Sequence, residues 1–380
     1  MAKVYVLITD PQVRKSFDIY NVVRKQYPQY RTLVAENRQG LGRKVSRFFT
    51  HGGTATVLLR EDHWAADLAD WLTKHPEDTL VYFPIEESTT LRFYDFLKEH
   101  SFSNLKFALP EEETFHLVRD KHAFTAYCAE HQLPAPALIE DLQLLKDHFV
   151  PVVAKPRVGS GSLGLRLIHS PQQVAELESI DWSEYVVQEM LDTPKDVKGA
   201  FFLMDKGHVV GYYGHQRIRT YPPEGGVTVF SRLDMNEALR EAGEKILGRL
   251  KWNGLAMIEF LPQKGSGAFK AIEINPRAWG SILLSEVAGQ RFIGNYLRLA
   301  LGDAPEPVVP KSNAFIRWVF PYDFILLATR KMSFGEFFRR PQPTTYINFS
   351  YTSFGRGLAF ILASIFNVSN LKKLWRKIRQ

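Results

Sequence analysis

Two apolar stretches, GLAMIEFLP (254–262) and AFKAIEINP (268–276), each carry one glutamate near the centre, Glu259 and Glu273. Both read as strands, joined by the polar loop QKGSG. A carboxylate inside an apolar strand is expensive unless it is paired or binds a cation, so the fold has to supply partners for both. In AIEINPR, alternation places Glu273 and Asn275 on one face and Ile272 and Ile274 on the other. Hard oxygen donors converging from adjacent strands suit Mg2+, which takes one or two carboxylates together with substrate phosphates and water. Arg277 follows at once and is suited to clamping a phosphate or carboxylate in bidentate fashion. A structural Glu to Arg ion pair is the competing reading.

KPRVGSGSLG (155–164) has the composition of a phosphate loop in the wrong order for a P-loop, because its lysine precedes the glycines. VPVVAKP runs into it as a strand and LGLRLIH leaves it as another, so the glycines form the turn of a hairpin. Such a turn leaves backbone N–H groups free to point at an anion.

Upstream, VYVLIT (4–9), RTLVA (31–35), FFTH (48–51) and TLVYFP (79–84) read as buried strands. Helical patterns lie around 17–26 and in DHWAADLADWLTKH, which implies a parallel α/β sheet covered on both faces. No G-x-G-x-x-G follows the first strand, which removes the main support for a dinucleotide site. Residues 111–131 and 280–302 each read as one helical stretch, and AFFLMDKGHVVGYYGHQRIR reads as a hairpin turning at 205–207. The single cysteine, Cys128, excludes an intramolecular disulfide framework, and MAKVYVLITD has neither a long apolar run nor a cleavage site. These features predict a cytoplasmic protein.

The ordered blocks RDKHAF, VVAKPRVGSGSLG, VVQEML, GHQRIRTYPPEGG, AMIEF and AIEINPRAWGS resemble the ATP-grasp superfamily, with its carbamoyl phosphate synthase large chains, biotin carboxylases and carboxylate-amine ligases. The resemblance implies α/β and α+β architecture: a parallel α/β (pre-ATP-grasp) domain over 1–112, then a two-lobed ATP-grasp domain over 113–305, with lobes of about 113–190 and 191–305. It implies ATP and Mg2+ (or Mn2+) as cofactors. Lys121 and Lys155 resemble the lysines that reach the ATP phosphates, and Gly159, Ser160, Gly161, Ser162 and Gly164 the lid over them. Gln188, Glu189, Met190 and Leu191 match the hinge lining the adenine, with Gln188 facing the exocyclic amine and the Glu189 and Leu191 backbones on the ring edge. Asp196 stands near the ribose position, although the family's usual G-E pair reads K-D here. Glu259, Glu273 and Asn275 match the metal ligands, Arg277 the arginine facing the transferred phosphate, and Arg217 and Arg219 a basic residue over the phosphates or acceptor. Each of these two arginines, and His215 beside them, also has a structural reading.

The implied reaction activates a small-molecule carboxylate as an acyl phosphate for attack by an amine or related nucleophile. A biotin-carboxylase-like carboxylation and a silent nucleotide-binding scaffold are the alternatives; the first is disfavoured because NPRAWGS stands where that family carries a longer marked run. FPIEEST (83–89), TYPPEGG (220–226) and AWGS (278–281) are the segments suited to shaping the acceptor site, with Glu86 and Glu87 able to hold an ammonium group or to stay solvated.

The chain carries a net charge of +7, and residues 331–380 hold nine Lys/Arg against the single acid Glu336. Within this extension (306–380), GLAFILASIF and NLKKLWRKIRQ form an amphipathic basic pattern too short in its apolar part to span a bilayer. Two readings stand: docking of 356–380 on an anionic membrane at its inner face, or packing on the body with the basic face in water. No nucleic-acid module accompanies the charge, and a homodimer is the assembly expected.

Overall fold

The computed structural model describes residues 2–11, 13–36, 54–159, 164–193, 197–221, 227–265, 267–308, 311, 313–339, 345–347, 350 and 357. Backbone contacts divide the chain into two units, Met1–Ala108 with Arg217–Leu233 and Arg277–Gln380, and Leu109–Gln216 with Asp234–Pro276.

The first unit opens with β1 (Val4–Ile8), β2 (Arg31–Glu36), β3 (Ala55–Leu58), β4 (Thr79–Tyr82) and β5 (Leu105–Lys106), parallel throughout and ordered β3-β2-β1-β4-β5. Val6, Leu7, Ile8, Leu80 and Val81 are fully buried, as the continuous apolar runs require of a sheet covered on both faces. Helices Arg14–Gln26, Trp64–Lys74 and Glu87–Glu99 follow β1, β3 and β4. The third strand is thus ATVL, while the expected FFTH lies outside the described residues.

In the second unit, β6 (Val152–Pro156), β7 (Arg166–Ile168) and β8 (Tyr185–Glu189) form an antiparallel sheet of order β7-β6-β8. A larger antiparallel sheet contains β9 (Lys198–Asp205), β10 (His208–Tyr221), β12 (Gly254–Pro262) and β13 (Phe269–Asn275), in the order β13-β12-β9-β10. The turn between β9 and β10 takes positive φ at both Lys206 and Gly207, a twist that matches paired strands. Helix Glu237–Arg249 packs on this sheet, with Leu239, Ile246 and Leu247 in one core with Phe202, Trp252 and Ile258.

Residues 111–131 are two helices, Glu112–Arg119 and Lys121–Glu130, where the periodicity predicts one. Asp120 takes φ −86° and ψ 106°, and its carboxylate accepts from the N–H groups of His122 at 2.9 Å and Ala123 at 3.2 Å. This N-cap ends one helix and starts the next, placing Lys121 at the first position of the second. Likewise 280–302 is broken between Leu283–Val287 and Phe292–Leu301, where Gly289 and Arg291 have φ of 74° and 50°. Beyond residue 305, β14 (Phe315–Arg317) pairs antiparallel with β11 (Val227–Asp234) and parallel with β15 (Thr345–Ile347) in the first unit.

Candidate nucleotide and metal site

Glu259 and Glu273 stand directly opposite each other on β12 and β13, with a register shift immediately after Glu259. Both are half-buried. Alternation holds from Glu273 to Asn275, with Ile274 in the core and the Asn275 amide donating to Glu273 Oε1 at 3.0 Å, but Ile272, expected beside Ile274, is half-buried and is passed over at the register shift, and Ala271 takes the core position. Lys121 is buried, with Nζ 3.7 Å from Glu273 Oε2 and a hydrogen bond to the Gly159 carbonyl at 2.8 Å. Lys155, on β6, donates to the Ile272 carbonyl at 3.1 Å. Loss of hydration pulls the Lys155 amine down to about 8; the Glu273 carboxylate opposes that shift and the Lys121 ammonium adds to it. Five of the residues singled out in the sequence therefore meet in one unit.

The two lysines are held together by a clamp that sequence reasoning missed. Arg157 Nε lies 3.0 and 2.9 Å from the Asp120 oxygens, and Nη2 donates to Oδ2 at 2.6 Å. The Lys121 N–H donates to the Arg157 carbonyl at 2.9 Å. Burial alone would raise the Asp120 carboxyl, but the Arg157 hydrogen bonds win and hold it below its ordinary value. The helix carrying Lys121 is thus tied to the residue two places after Lys155. The available signal was an Asp before one motif lysine and an Arg after the other, 37 residues apart.

On β8, Gln188 is buried and its amide donates to Thr125 Oγ1 at 2.7 Å; the Thr125 hydroxyl donates to the Lys121 carbonyl at 2.7 Å. The side chain expected to face an adenine is therefore also a tie to the Lys121 helix. Glu189 pairs through its side chain with Lys270 Nζ at 2.5 Å, and its N–H donates to Ala137 O at 2.9 Å. The Met190 N–H donates to Pro151 O at 2.8 Å, and no hydrogen bond to Leu191 is seen among the described residues. Gly159 and Gly164 both have positive φ, and a Cβ on Gly164 would lie 2.9 Å from the Pro156 ring. Ser160, Gly161, Ser162 and Asp196 lie outside the described residues.

Arg217 and Arg277 belong to the first unit. Arg277 Nε lies 3.4 Å from Glu87 Oε1 and Nη1 donates to Ala278 O at 2.9 Å. Arg219 is engaged with the fully buried Asp323 at 2.8 Å, which favours the structural reading for it. His215 is buried against the Phe201 ring, also as a structural residue.

The donor set fits Mg2+. Glu259, Glu273 and Asn275 offer oxygen, and among the described residues no group of three or more His, Cys, Asp or Glu is placed to hold a metal. Two adjacent lysines disfavour a lone cation and favour one that arrives with phosphates.

Residues 118–281 match the family model described as the ATP-grasp domain. Among relatives, the carbamoyl phosphate synthase large chain of Methanothermobacter thermautotrophicus is 24% identical over 214 residues, 50% of this chain and 20% of that one. The biotin carboxylase of a Nostoc species is 23% identical over 239 residues, 57% of this chain and 52% of that one. The chain thus spans between about a fifth and about half of these relatives. Among solved structures, a biotin carboxylase from Campylobacter jejuni, in complex with β,γ-ATP, superposes with a TM-score of 0.62 at 16% identity, covering 83% of this chain and 74% of that one. The N5-carboxyaminoimidazole ribonucleotide synthetase from Thermotoga maritima gives 0.55 at 15% identity, covering 83% and 80%. At such identities these likenesses establish the fold.

Proposed function

We propose that the protein is an ATP- and Mg2+-dependent ligase that activates a small-molecule carboxylate as an acyl phosphate for capture by an amine or related nucleophile. The observation that carries this reading is the meeting of Lys121, Lys155, Glu259, Glu273 and Asn275 in one unit. Phosphoryl transfer is mostly positioning and charge neutralisation, and two ammonium groups beside two carboxylates supply both. Mg2+, held by Glu259, Glu273 and Asn275, would neutralise phosphate charge. The substrate carboxylate attacks the γ-phosphorus, ADP leaves, and the nucleophile then displaces phosphate from the acyl carbon. Arg277 and Arg217 are assigned to the transferring phosphate, and Gly159, Ser160, Gly161, Ser162 and Gly164 to covering it. Gln188 to Leu191 are assigned to the adenine, with Asp196 at the ribose.

Substrate-dependent ADP release from amine, amino acid, peptide and sugar-acid pools tests the reading. Glu273→Ala should abolish it with the circular dichroism spectrum unchanged; a wild type that binds ATP yet releases ADP with none of these pools would refute it. The relatives favour carboxylation as the second reading, since several are biotin carboxylases. Release of ADP with bicarbonate and free biotin alone would select it.

The protein is assigned to the cytoplasm as a homodimer, testable by fractionation and light scattering. Among the described residues no helix is long and apolar enough to cross a membrane. Contact of 356–380 with an anionic membrane face belongs to the same proposal, although most of that segment lies outside the described residues. Cosedimentation with phosphatidylglycerol vesicles should be lost on deleting 356–380; unchanged sedimentation removes this part.

A further inference from the structure

The first unit carries a second charged cluster, and it lies where the parallel sheet changes direction. The chain leaves β1 for β2 on one side and later returns to β4 on the other, so the carboxyl ends of β1 and β4 bound a crevice of the kind that takes ligands in open α/β sheets. Asp10 follows β1 with a left-handed φ of 53°, Lys15 lies in the first turn of the next helix, and Glu86, Glu87 and Thr89 follow β4. The segment after Pro276 closes the same cluster, because the Ala278 N–H donates to Pro84 O at 2.8 Å.

The contacts alternate in charge. Lys15 Nζ is 3.0 Å from Glu86 Oε1 and donates to Ala278 O at 3.0 Å. Arg277 donates to that same carbonyl and faces Glu87. Thr89 donates to the Asp10 carboxylate, with its hydroxyl 3.0 and 2.9 Å from the two oxygens. The cations form the inner layer, with side-chain exposures of 8% for Lys15 and 17% for Arg277, while Glu86 and Glu87 are open at 33% and 29%. Loss of hydration, reinforced by Arg277 and opposed by Glu86, brings the Lys15 amine to about 7, and burial raises the Asp10 carboxyl. Lys15, buried this way, has no role in the mechanism above, whereas Arg277, which shares the Ala278 carbonyl with it, is common to both assignments.

Two cations interleaved with three acids complement neither a simple anion nor a simple cation, but they do complement a ligand bearing both charges. We infer that this crevice binds an α-amino acid, with its ammonium group on Glu86 and Glu87 and its carboxylate on Arg277 over Lys15. The role of that amino acid as the ligase's amine substrate rests on the reading above; its binding does not.

Calorimetric titration of the full chain, without nucleotide, with each of the twenty protein amino acids and their D forms tests the site. At least one should bind, and its methyl ester and its deamino analogue should each bind about tenfold or more weakly, the scale of a lost charge-assisted contact. Glu86→Gln and Glu87→Gln should weaken the same titration by a similar factor. Glu87→Gln keeps the test open if losing the Lys15 partner unfolds the first variant, as circular dichroism would reveal. No binding by any amino acid, an ester that binds as tightly as the acid, or equal affinity in wild type and Glu87→Gln overturns the inference. Amino-acid binding without any ADP release would retain this site and refute the ligase reading; ADP release with an unchanged amino-acid KM in Glu87→Gln would do the reverse.

Discussion

Asp120 accepts two kinds of hydrogen bond, and substitutions at it and at Arg157 separate them. Toward its own helix it caps the His122 and Ala123 N–H groups, and toward β6 it receives the Arg157 fork. Loss of an N-cap costs about 1 kcal/mol. The ion pair is part-exposed, 29% on Arg157 and 27% on Asp120, so solvent screening holds it near the top of the surface range, about 1 kcal/mol. Asp120→Ala should therefore destabilise by about 2 kcal/mol, and Arg157→Met, which keeps the aliphatic stem and the cap, by about 1 kcal/mol. In an Asp120→Ala background, Arg157→Met should cost close to nothing, which gives a coupling of about 1 kcal/mol in a double-mutant cycle. Asp120→Asn keeps the cap and should fall between wild type and alanine. Urea denaturation of the four proteins of the cycle measures this, and ATP titration of each should show the weakest binding where the clamp is lost. Additive effects, with coupling under about 0.3 kcal/mol, would mean that Arg157 and Asp120 do not act as one clamp.

Gly243→Ala should destabilise even though alanine is the better helix former by about 1 kcal/mol, because a Cβ there would overlap the Phe202 ring and overpacking costs about 1 to 3 kcal/mol; a thermal melt at or above wild type would refute it. Burial pushes the Cys128 thiol up to about 12 from its ordinary 9, so iodoacetamide should label it in urea and leave it untouched in the native protein at pH 8, by mass spectrometry. The same shift sets a sign. Between about pH 9 and 12 the unfolded chain loses a proton that the folded one keeps, so stability contributed by Cys128 falls as pH rises through that window, and Cys128→Ala should flatten the decline in urea midpoint.

The face shared by Glu273 and Asn275 was legible because alternation over those three residues puts both on one side, although the register shift at Ile272 was not. Lys121 and Lys155 were legible only as motif residues, since nothing local to either indicates that they meet near Glu273. The break at Asp120 escaped the periodicity because a capping carboxylate interrupts a helix without interrupting its apolar spacing. Lys15 and Asp10 escaped for a different reason. Their partners stand about 70 to 260 residues away, at Glu86, Thr89 and Ala278, and within their own segment they look like ordinary solvated charges.

The ammonium of Lys121 has a second employer. It holds the Gly159 carbonyl at the base of the glycine loop, and any phosphate that draws Lys121 toward itself competes with that carbonyl for the same donor. Linkage is reciprocal: whatever loosens Gly159 from Lys121 raises affinity for the anion by the factor by which the anion loosens Gly159. Substitutions that weaken the Gly159 bond to Lys121 would on this account raise affinity for the anion by an equal free energy.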